Sequence, residues 1–77
     1  MISAIQHTRK RLGLTQQQCA DRYAELGGTT SARQYWSTWE RKYPRVMVDP
    51  TFVRMCEVLE TLPSEMMRLQ ERLENEQ

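Results

Sequence analysis

The chain is poor in the residues that catalytic and metal sites are built from. In 77 residues histidine occurs once, at His7, and cysteine twice, at Cys19 and Cys56. The cysteines stand 37 positions apart with no Cys-x-x-Cys pair and no Cys/His cluster. That spacing excludes a zinc-finger ligand set and argues against a disulfide framework, so both thiols are read as small apolar core groups. Glycine is limited to Gly13, Gly27 and Gly28, and none sits in a phosphate-cradling loop. No nucleophile motif and no pocket-flanking carboxylate pair stands out, so the chain is not read as an enzyme, and no cofactor or metal is expected. His7 is read as an exposed residue on a polar side of the first helix. No apolar run approaches the roughly 20 residues of a membrane span, and no signal-type apolar segment follows Met1. The expectation is a soluble, cytoplasmic protein with no membrane partner.

Length sets a second bound. A chain this short buries only about 60% of the surface it exposes when unfolded. Residues 1–77 are therefore read as a single domain, with no room for a ligand domain and no small-molecule ligand expected.

What is present is charge, unevenly placed. The net charge is only +1. Residues 1–45 hold eight basic and three acidic side chains, a balance of +5, whereas residues 46–77 hold three and seven, a balance of −4. A basic part suited to a polyanion is joined to an acidic end that must point elsewhere. In so short a chain a solvated scatter of charges could divide the same way.

Apolar spacing and punctuation divide the chain into five helices. Ile2, Ile5 and Leu12 make a rough stripe that stops at Gly13. Thr15 and Gln18 have the spacing of a capping box, which starts a second helix at Gln16. That helix runs through Cys19, Ala20, Tyr23 and Ala24 to the breaker Gly27-Gly28. Thr29, Thr30 and Ser31 are candidate caps for a third helix, which runs through Trp39 to about Lys42 and is closed by Pro44. Asp49-Pro50 opens a fourth, with Phe52, Met55, Cys56, Leu59 and Leu62 at helical spacing. Pro63 separates it from a fifth, at roughly 64–73, followed by a tail to 77. No alternating run qualifies as a strand, and the fold class is all-α.

The third helix has two unlike sides. At about 100° per residue, Ala32, Tyr35, Trp36, Trp39 and Tyr43 fall in one arc, and Arg33, Gln34, Ser37, Thr38 and Arg41 in another. The aromatic arc is read as core, with Tyr35 left open at its edge. The polar arc holds no carboxylate. Arg can pair with guanine O6 and N7, Gln with adenine N6 and N7, and Ser or Thr with bases or phosphates. An ordinary solvated face would carry similar residues.

Three runs bear on that choice. "RKRLGLTQ" at 9–16, "WERK" at 39–42 and "DPTFVRMCEVL" at 49–59 resemble the framework of the Cro and repressor-type (XRE class) helix-turn-helix family. The resemblance covers about the first 67 residues, with several short motifs in the right order. It implies a five-helix, lambda-repressor-like DNA-binding domain with the third helix in the major groove. It further implies Arg33, Gln34, Ser37 and Thr38 on base edges, and Gln16, Arg41, Lys42 and Arg45 on phosphates. Arg9 and Glu40 would form an internal ion pair between the first and third helices. A narrower resemblance is to the small autorepressors found beside anti-CRISPR genes. The host would then be a bacterial or phage-infected cell. The chain also departs from the family: the stretch between Thr15 and Trp39 is six residues longer than the compact pattern, and Cys19 stands where Leu is usual. The surplus lies near "RYAELGGTT", so the second helix is longer, the turn is looser, or both.

Leu62, Met66, Leu69 and Leu73 are spaced 4, 3 and 4, a heptad-like run. The last helix is expected to divide its work. Met66 and Leu69 contribute to the core, and Met66, Met67, Leu69 and Leu73 are the candidate dimer contacts. The leading expectation is a transcriptional repressor, a homodimer bound to a palindromic operator in double-stranded DNA. The competing one is a protein-interaction module, such as an antitoxin or adaptor, built on the same scaffold.

Overall fold

Residues 3–27, 33–43 and 49–76 are described in the computed structural model of the chain. They form α1 (Ala4–Arg11), α2 (Gln16–Glu25), α3 (Arg33–Lys42), α4 (Pro50–Val58) and α5 (Pro63–Asn75). Among the described residues there is no strand, in keeping with the all-α expectation.

Local chemistry sets the helix starts. Ser3 Oγ accepts the Gln6 N–H at 3.1 Å and caps α1. At α2 the capping box is complete: Thr15 Oγ1 accepts the Gln18 N–H at 3.1 Å, and Gln18 Oε1 accepts the Thr15 N–H at 2.8 Å. Asp49 Oδ1 accepts the Phe52 N–H at 3.0 Å, with Pro50 in the first helical position of α4. Pro63 opens α5. Ile2, the candidate caps Thr29, Thr30 and Ser31, and Pro44 lie outside the described residues.

The stops are less uniform. After α1, Gly13 takes φ +73° and donates to the Lys10 carbonyl, while Leu14 donates to that of Arg9, each at 3.1 Å. This six-to-one closure needs a left-handed residue, which glycine supplies without a Cβ clash. After α4 the same closure is made by Glu60, at φ +56°. Its N–H reaches the Glu57 carbonyl at 3.1 Å, and the Thr61 N–H reaches that of Cys56 at 3.0 Å. Helix α4 therefore ends at Val58. Leu62, expected on its apolar stripe, falls beyond that stop and is 60% exposed. Leu12, expected on the α1 stripe, becomes the α1 C-cap and is also exposed.

The core is assembled from all five helices. Ile5, Cys19, Trp36, Phe52, Met55, Cys56, Val58 and Met66 are fully or almost fully buried. Both cysteines are free, and burial pushes the thiols up, Cys19 to about 11 and Cys56 to about 12. Helix α2 packs on α3 and α4, and α5 packs on α1 and α4. Buried polar side chains join this packing. Gln70, buried on α5, accepts the Ala4 N–H at 2.8 Å and so satisfies a first-turn donor that α1 cannot satisfy itself.

Candidate nucleic-acid interface

Helix α3 is held by its inner side. Tyr23 of α2 stacks at a tilt on Trp39, with ring centroids 4.8 Å apart. Tyr43, just past α3, meets Phe52 of α4 at 5.8 Å and donates its hydroxyl to Asp49 Oδ2 at 2.6 Å. Asp49 is thus cap to α4 and acceptor for the end of the α3 segment at once. The hydrogen bond from Tyr43, followed by that from the Phe52 amide, holds the Asp49 carboxyl below the usual range. Burial, reinforced by the bond to Asp49, pushes the Tyr43 phenol up to about 12.

Glu40 fixes the helix from a third direction. Its carboxylate is buried, 3% exposed, and takes donors from three helices. Arg9 Nε of α1 pairs with Oε1, Gln16 Nε2 of α2 donates to Oε2 at 3.0 Å, and Trp36 Nε1 of α3 donates to Oε1 at 3.0 Å. Arg9 also donates through Nη1 to the Leu14 carbonyl at 2.8 Å, tying the α1–α2 turn to the same group. The family resemblance pairs Glu40 with Arg9 alone. The donors Gln16 and Trp36 complete the coordination that a buried carboxylate requires.

Enclosing Glu40 has an electrostatic consequence. It is the only acidic residue of α3, so the outward arc of that helix presents no carboxylate. Arg33, Gln34, Thr38 and Arg41 are exposed there and Ser37 is half-buried. The four residues expected on base edges and Arg41, one of those expected on phosphates, therefore share one helix face, with Lys42 exposed beyond its edge. Lys42 lies with Nζ 5.2 Å from the centre of the Tyr43 ring. Thr38 departs from expectation in detail: its hydroxyl donates to the Gln34 carbonyl at 3.0 Å, which leaves the methyl group as the larger free part. Gln16 departs further. It is half-buried, and one amide hydrogen is committed to Glu40 instead of pointing to solvent. Arg45 lies outside the described residues.

Tyr35 resolves the question its position leaves open. It is 49% exposed and lies outside the core, with its ring 6.2 Å from that of Trp39. Ala32, placed with it on the aromatic arc, lies outside the described residues. Helix α2 ends at Glu25, and residues 28–32, part of the stretch expected to hold the surplus over the compact family pattern, lie outside the described residues.

The α5 residues expected at a dimer contact do not form one patch. Met66 is 1% exposed and belongs to the core, where its sulfur accepts the Thr8 hydroxyl at 3.8 Å. Leu69 and Leu73 are half-buried against that core, and Met67 is exposed. Met67 and Leu69, two positions apart, project about 160° from one another. Leu69 lies on the flank that borders a groove of about 320 Å³ between α1 and α5, rimmed by Arg11, Arg68 and Arg72. Among the described residues no His/Cys/Asp/Glu group could hold a metal ion, and no helix is long and apolar enough to cross a membrane.

No family model, curated protein or solved structure matches the chain.

Proposed function

We propose that the chain is a helix-turn-helix repressor that binds double-stranded DNA in a sequence-specific way, with α2 and α3 as the motif and α3 in the major groove. The observation that carries this reading is the composition of the outward face of α3. Arg33, Arg41, Gln34 and two hydroxyl residues stand there with Lys42 at the edge, while the only carboxylate of the helix is enclosed by Arg9, Gln16 and Trp36. A face without negative charge can approach phosphate, and Arg33 has the paired donors that read guanine while Gln34 has the donor and acceptor that read adenine. At about 1.5 Å per residue, the ten residues of α3 span about 15 Å, enough for a few base pairs.

So short a reading head gains affinity and selectivity by doubling. We assign the chain a homodimeric form on a palindromic operator, with half-sites about one helical turn apart. The second copy would seat on the Leu69 and Leu73 flank of α5. Repression would arise by occluding the polymerase, including at the chain's own promoter. The test is selection of the purified protein against random duplex DNA at near-physiological salt. Enrichment of an inverted repeat is the expected result. A retained pool with no enriched sequence overturns base-specific readout.

A further inference from the structure

Tyr35 is a large aromatic side chain, exposed on a helix whose outer face is otherwise polar. It is not part of the core, and it is not loose. Its ring rests 6.2 Å from Trp39 with planes 35° apart, and Trp39 is in turn held 4.8 Å from Tyr23. A ring supported in this way loses little conformational freedom when it meets a partner. Thr38 lies three residues on, about 60° away around the helix, with its hydroxyl turned back to the Gln34 carbonyl and its methyl free. The two side chains make a small apolar step at one edge of the cationic arc, next to Lys42.

The major groove offers one apolar feature for such a step, the C5-methyl group of thymine. We infer that Tyr35 and Thr38 together read a thymine methyl, so that the site bound by α3 contains a T·A pair at a fixed position beside the base met by Gln34. This rests on the DNA-binding reading above. It adds a specificity-determining residue that the polar face alone does not suggest. The phenol oxygen has a separate part: with the ring on the methyl, the hydroxyl is free to donate to a neighbouring phosphate.

The test uses the full chain and a duplex obtained by selection. Each thymine is replaced singly by deoxyuridine, which removes the methyl and nothing else. At one position the wild-type chain should lose about fourfold in affinity, the size expected of one buried methyl group. Tyr35→Ala should lose most of that discrimination, keeping only the part the Thr38 methyl supplies, and Tyr35→Phe should keep it. Because each comparison is a ratio within one protein preparation, partial unfolding of a variant cancels. Tyr35→Ala that keeps the full discrimination at every thymine overturns the assignment, as does a wild-type chain indifferent to all the replacements. If the wild-type chain selects no sequence at all, the DNA-binding reading itself fails, an outcome distinct from either.

Discussion

Trp36 and Glu40, one turn apart on α3, are joined by an indole N–H donated to the carboxylate at 3.0 Å. Arg9 and Gln16 reach the same carboxylate from α1 and α2. Removing it leaves an indole donor, an amide and a guanidinium without their shared acceptor. Losing one partner of a buried ion pair typically costs about 3–5 kcal/mol, mainly because the other is stranded. Glu40→Ala should therefore lose about that much, a large part of the roughly 5–15 kcal/mol available to a small domain. Glu40→Gln, which keeps an oxygen for Trp36, should lose less. Urea unfolding followed by circular dichroism measures both, and a loss under about 1 kcal/mol for Glu40→Ala would contradict the role given to this group.

The Tyr43–Asp49 bond predicts how stability responds to pH. Asp49 is held below its ordinary value, so its contribution is present above about pH 4 and fades as pH falls through the folded-state value. Tyr43 is raised to about 12, so the contribution of its neutral phenol is present below about pH 10 and fades as pH rises from there through 12. Tyr43→Phe should weaken the acid-side dependence because Asp49 keeps only its backbone donors. Urea midpoints measured from pH 2 to 11 for both proteins test this. Parallel acid limbs would contradict the coupling.

Much of the architecture is readable in the sequence where the signal is local. The Thr15–Gln18 capping box, the Asp49-Pro50 start and Gly13 each state a helix boundary within four residues of chain, and each occurs as read. The end of α4 is not readable in the same way. The left-handed residue there is Glu60, which carries no punctuation, and an apolar period running on to Leu62 hides the stop. The Glu40 site is readable only in part, since three donors on three helices meet only after packing. Tyr35 sits at the edge of a helical arc, where the sequence does not say how far α2 covers it. The spacing of Met66, Met67, Leu69 and Leu73 suggests a common role, yet only Met67 projects freely.

Glu60 also provides a stability prediction. A non-glycine residue in the left-handed region costs about 1–2 kcal/mol, and glycine there avoids the clash at an entropic cost of about 0.5–1 kcal/mol in the unfolded chain. The Glu60 side chain is exposed, so little packing is lost. Glu60→Gly should raise stability by about 0.5–1 kcal/mol, seen as a higher urea midpoint with an unchanged slope. A lower midpoint would mean that the side chain makes a stabilising interaction of its own.

The two thiols report on opening of the core. With values near 11 and 12 and no exposed surface, Cys19 and Cys56 are neutral and shielded at pH 8. A thiol-specific reagent should label the native chain far more slowly than a free cysteine. Labelling should accelerate in urea with the same midpoint as the loss of helix. Rapid labelling of either residue without denaturant would show that its helix opens independently of the rest.

Arg33 and Arg41 stand on the same face of α3 but are assigned different work, and salt dependence separates them. A cation on phosphate releases condensed counterions, so each such contact contributes about −0.9 to the slope of log affinity against log salt. Arg41→Ala should lower affinity for all duplexes alike and reduce that slope by about one contact. Arg33→Ala should instead cost about 1–3 kcal/mol at a single base pair and relax the preference there. Both variants replace exposed side chains, so their unfolding midpoints should stay close to that of the parent. Binding of each variant to the selected duplex, to single-base-pair changes and to unrelated DNA across a salt series gives both quantities. If Arg33→Ala weakens every duplex equally and lowers the slope, its guanidinium belongs on the backbone, and the base reading narrows to Gln34, Ser37, Thr38 and Tyr35.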